Sequence, residues 1–70
     1  MTPKIITAEV GGYIEQTRSP VGLFYYPDTR PDGKRLIWVG IINQPEGFRR
    51  MRFDTFGECI EWLLGEGGKE

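Results

Sequence analysis

Residues Arg35 to Ile42 read Arg-Leu-Ile-Trp-Val-Gly-Ile-Ile. This stretch constrains the chain more than any other. In an extended conformation Ile37, Val39 and Ile41 point one way and Leu36, Trp38 and Ile42 the other, so both faces of the strand are apolar. A strand of that kind needs cover on two sides, and only 70 residues are available to supply it. The second apolar run, Val21 to Tyr26, has the same two-sided character, with Leu23 and Tyr25 opposed to Phe24 and Tyr26.

The remaining segments follow from turn and cap chemistry. Lys4 to Val10 is rich in Ile, Thr and Val and reads as a strand that reaches past Gly11-Gly12 toward Tyr13 and Ile14. Pro27 to Gly33 reads as a hairpin connection, because proline presets the backbone and Asp-Gly supplies a positive φ. Asn43 to Gly47 is a second turn, and Phe48 to Phe53 is a fourth strand. Thr55 and Glu58 form a capping box, with Asp54 beside the positive end of the helix that follows. Phe56, Cys59, Ile60 and Leu63 then make one apolar stripe, flanked by Leu64 and stopped by Gly65. The expected fold is α+β: a four-stranded antiparallel meander with one C-terminal helix on one face. Residues 1–66 read as a single domain and 67–70 as a frayed tail.

Composition removes whole classes of chemistry. The chain has no histidine, one cysteine and, in Ser19, one serine. No Ser–His or Cys–His pair is possible, disulfides need two cysteines, and zinc sites are built mainly from the residues that are missing. Cys59 falls on the apolar stripe, where a thiol acts as a small hydrophobe. Glu58 and Glu61 lie on the solvent side of the helix. Asp28 to Gly33 imitates the start of a calcium loop, but Arg30 and Val39 stand where oxygen ligands are required. The expectation is a protein without catalytic residues, metal or cofactor. The opening Met1-Thr2-Pro3-Lys4 leads into a stretch too short for a signal peptide or membrane helix, which with a lone cysteine suggests a cytoplasmic setting.

The net charge of −1 conceals a polarity. Residues 20–52 carry six basic and three acidic side chains, whereas residues 53–70 carry Lys69 against Asp54, Glu58, Glu61, Glu66 and Glu70. On the fourth strand, alternation sets Phe48, Arg50 and Arg52 on one face and Arg49, Met51 and Phe53 on the other, with Lys34 and Arg35 in the neighbouring hairpin. If Met51 and Phe53 lie under the helix, Arg50 and Arg52 share the uncovered face with Phe48, and Arg49 sits at the margin. Arginine beside exposed aromatics binds phosphates, stacks on bases or pairs with a protein's carboxylates. The bland alternative is an edge strand whose charges protect it from aggregation.

Two resemblances bear on the choice. Gly33-Lys34-Arg35, followed by Phe53-Asp54-Thr55-Phe56-Gly57-Glu58 with Trp62 and Leu63 beyond, resembles integrase arm-binding domains and plant ethylene-response factors. That likeness covers about half the chain and implies DNA reading by the strands through Lys34, Arg35, Arg50 and Arg52. The chain departs from that pattern in the turn at 43–47, the acidic helix and an isoelectric point near 5.4. Arg52-Phe53-Asp54-Thr55 leading to Trp62-Leu63-Leu64-Gly65 is similar to the strand-to-helix passage of a type I-F inhibitor among the phage-encoded anti-CRISPR proteins. That likeness implies a surface that blocks another protein and no catalytic residue. With one helix for two apolar faces, the sequence points first to a non-enzymatic protein-binding module, most concretely a small inhibitor from a phage or mobile element. Its anchors would be Tyr25, Tyr26, Trp38, Phe48, Arg49, Arg50 and Arg52, with Lys34 and Arg35 beside them. The alternative is sheet-mediated DNA binding. Self-association, or the N-terminal segment, is the other way to cover the open face.

Overall fold

The computed structural model describes residues 2–29, 33 and 35–67. Along the chain it forms β1 (Lys4–Ile5), α1 (Ala8–Thr17), β2 (Gly22–Thr29), β3 (Leu36–Gln44), β4 (Gly47–Phe53) and α2 (Phe56–Gly67). The strands lie side by side in chain order, with β2–β3 and β3–β4 antiparallel. The pairing of β1 with β2 is parallel, so the sheet is mixed and not an antiparallel meander. A parallel neighbour requires a crossover connection, and α1 supplies it.

This helix overturns the expected N-terminal strand, of which only Lys4–Ile5 remains. Thr7 stands at the N-cap, its hydroxyl accepting from the Val10 backbone N–H at 3.2 Å, and Glu9 lies in the first turn. At the other end Arg18 adopts a left-handed φ of 59° and its backbone N–H donates to the Ile14 carbonyl. Gly11 is not a flexible joint. A Cβ there would lie 2.7 Å from the Tyr26 ring and 3.3 Å from Ile41, so the missing side chain is what lets the helix sit against the sheet.

The molecule is therefore three layers, with one helix on each side of the sheet. Ile14 joins Phe24, Tyr26, Val39 and Ile41 in one core, with Ile6 and Phe48 packed against it. Cys59 and Leu63 join Leu23 and Ile42 in the other, ringed by Tyr25, Trp38, Phe53, Ile60 and Trp62. The alternation expected for β2 and β3 holds: even and odd residues divide between these two cores. The face expected to be open is covered by α1, and the two-sided strand is satisfied within the chain.

Smaller features follow from the same layering. Pro27 sits within β2, beyond the end of β1, where among the described residues β2 has a neighbour on one side only and a missing N–H removes no ladder bond. Buried Asn43 donates to the Pro20 carbonyl at 2.6 Å, tying the α1–β2 connection to β3. At the start of α2 the Glu58 backbone N–H donates to Thr55 Oγ1 at 3.2 Å, and the Thr55 hydroxyl donates to the Glu58 carboxylate at 2.9 Å. The cap is closed side chain to side chain. Gly65 does not end the helix, which continues to Gly67, where the glycine backbone lies against the Leu23 side chain.

Candidate protein-binding surface

With both sheet faces covered, the residues expected to form one surface separate into three environments. Tyr26 is buried beneath α1 and presents no anchor to solvent. Burial raises its phenol pKa, partly opposed by the positive charge of Arg50. Tyr25 and Trp38 are half-buried on the opposite face, with ring centroids 6.2 Å apart. Phe56, from the first turn of α2, closes over both at 5.4 and 5.0 Å in edge-to-face contact. The sequence pattern had put Phe56 in the buried stripe. It is instead 45% exposed, forming the outer wall of an aromatic cluster at one end of the sheet. Its position at the very start of α2, before the stripe passes under the sheet, is the signal for that difference.

The third environment is β4. Its arginines point to both sides, as alternation requires. Arg50 pairs with Glu15 of α1 at 3.1 Å, and Arg49 with Glu66 of α2 at 3.5 Å. Arg49 also approaches the Trp62 ring, 5.9 Å from its centroid. Phe48 is half-buried under the Arg18 guanidinium, which stands 4.7 Å above its ring. Arg18, Glu15 and Glu66 were not legible as members of this surface, because Glu15 lies on, and Arg18 caps, a helix the glycine pair disguised. Arg52 is exposed and makes no carboxylate pair among the described residues. Arg35 is exposed just before β3, and Lys34 lies outside the described residues. Met51, expected under α2, is 48% exposed at the sheet margin.

Cys59 is fully buried, and desolvation pushes its thiol up to about 11, the opposite of what a nucleophile needs. Among the described residues no group of three or more acidic or cysteine side chains is placed to hold a metal ion. No helix among them is long and apolar enough to cross a membrane. The surface thus combines an outer strand bearing three arginines with an aromatic cluster at the end of the same sheet. Comparison with known protein families, curated proteins and solved structures finds no match to this chain.

Proposed function

We propose that this chain is a non-enzymatic binding protein whose partner is another protein, engaged through β4 and its arginines. The observation that carries the reading is the state of those side chains. Arg49 and Arg50 are already held by Glu66 and Glu15 in solvent-exposed pairs, 49% and 37% exposed in one and 41% and 46% in the other. Such an arrangement suits exchange of one carboxylate for another, as at a polar protein interface, where arginine is enriched among the anchors. It suits a phosphate backbone less well, since two of the three positive charges lie beside a negative one. Half-exposed Phe56 and the cluster behind it add an apolar contact at the end of the same sheet. An inhibitor that occupies a host protein's nucleic-acid or partner site is the concrete form implied by the resemblance to phage-encoded inhibitors.

The test is affinity capture with the natural chain and with a variant carrying Arg49→Glu, Arg50→Glu and Arg52→Glu, beside a gel shift on random-sequence duplex DNA. A partner retained by the natural chain and released by the folded variant is the expected result. Equal retention by the variant would remove β4 from the account. A duplex shift that weakens with salt at a log–log slope near −0.9 per phosphate contact would establish the DNA-binding alternative instead.

A further inference from the structure

Resting on that reading, we infer that the outer edge of β4 accepts an extended acidic segment of the partner as a fifth strand. The sheet ends differently on its two sides. At one side β1 contributes two residues, whereas β4 is seven residues long and, among the described residues, pairs only with β3. The two-residue turn Pro45–Glu46 joins the paired residues Gln44 and Gly47. Such a turn is closed by a hydrogen-bonded pair, and alternation along the ladder then directs the backbone groups of Arg49, Met51 and Phe53 toward β3. The N–H and C=O groups of Phe48, Arg50 and Arg52 face outward. This is the template that strand addition uses, with main-chain bonds giving affinity and alternate side chains giving choice of partner.

Charge selects the occupant. Phe48, Arg50 and Arg52 line the α1 side of the edge and Arg49 the α2 side, so an incoming strand with carboxylates at two successive alternate positions meets a guanidinium at both. A second copy of the chain meets the opposite situation. Pairing β4 antiparallel with itself about its centre sets Arg50 against Arg50, or Arg50 against Arg52, and like charges directly opposite are unfavourable. The same arginines that admit an acidic strand therefore reject self-pairing along this edge.

The test uses a ten-residue peptide alternating glutamate and valine, titrated into the full chain and followed by amide chemical shifts. Shifts concentrated at Phe48, Arg50 and Arg52 are expected, with at least tenfold weaker binding when lysine replaces glutamate and several-fold weaker binding to Arg52→Gln. N-methylation of one alternate set of peptide amides should abolish binding, while methylation of the other set leaves it. Absence of binding at millimolar peptide, equal binding of the lysine peptide, or indifference to both methylation patterns would overturn strand addition. If a partner captured through the β4 arginines coexists with any of those results, strand addition fails and the protein-binding reading stands. Loss of the arginine dependence itself sinks that reading independently of the peptide.

Discussion

The two faces of the sheet are closed by different means. On one, the 12-residue α2 lies against β2, β3 and β4 and covers them with Cys59, Leu63, Ile60 and Trp62. On the other, the 10-residue α1 rests mainly on β2, and of its residues only Gly11 and Ile14 are buried. The rest of that face is roofed by long side chains: Arg18 over Phe48, and Arg50 reaching Glu15. Arginine stems can cover apolar surface while their heads stay wet. A chain this small can cover both sides of an apolar strand, provided one cover is helix and the other is partly guanidinium.

Removing the central side chain of each cover tests the two most severely. Leu63→Ala and Ile14→Ala should each cost about 2–5 kcal/mol, measured by urea unfolding, because both residues are wholly buried. If Ile14→Ala costs under about 1 kcal/mol, α1 is not a true second cover. Gly11→Ala should follow at about 1–3 kcal/mol, since the new methyl meets the Tyr26 ring. A neutral result in the same assay would mean that α1 lifts freely from the sheet.

Caps give a finer comparison. Thr55→Ala and Thr7→Ala should each lose about 0.5–2 kcal/mol, with the larger loss at Thr55, whose hydroxyl also bonds the Glu58 side chain. At the small end, Glu15→Gln should change stability by less than about 1 kcal/mol, as befits an exposed pair, and leave Arg50 free for a partner. A larger loss would make Arg50 structural before it is functional.

Alkaline pH separates the faces by another route. The Cys59 thiol is raised from 9.0 to about 11, so folding favours its protonated form. Its contribution is complete below pH 9 and is lost as the pH climbs toward 11. The melting temperature should fall across that window, and a Cys59→Ala variant should fall less steeply. Equal slopes in the two proteins would show that the thiol does not titrate with unfolding.

Much of the α2 side was legible in the sequence. Thr55 and Glu58 announce the helix start, the Cys59–Leu63 spacing announces its face, and alternation along β2, β3 and β4 assigns side chains to the two cores. Gly65 misled because an isolated glycine reads as a stop, although backbone continuing to Gly67 packs on Leu23. The α1 side was hidden for a related reason. Gly11-Gly12 reads as a flexible pair that an extended chain passes through, and β-branched Ile5, Ile6, Thr7 and Val10 read as a strand. The cap at Thr7 and the Val10–Ile14 spacing were the available helix signals. A glycine that permits close approach cannot be told from one that permits flexibility until its neighbour across the gap, here Tyr26, is known. The same gap decided the surface: Tyr26 could be assigned to solvent only while α1 was missing.

Both tryptophans of the chain, Trp38 and Trp62, belong to the core beneath α2. The α1 side has Tyr13 and Tyr26 but no indole. Intrinsic emission excited at the red edge is thus a one-sided reporter. It will follow the α2 layer through a melt and stay nearly silent if α1 detaches first. A transition seen earlier by far-ultraviolet dichroism than by tryptophan emission would be the optical signature of a sheet that sheds its two covers in sequence.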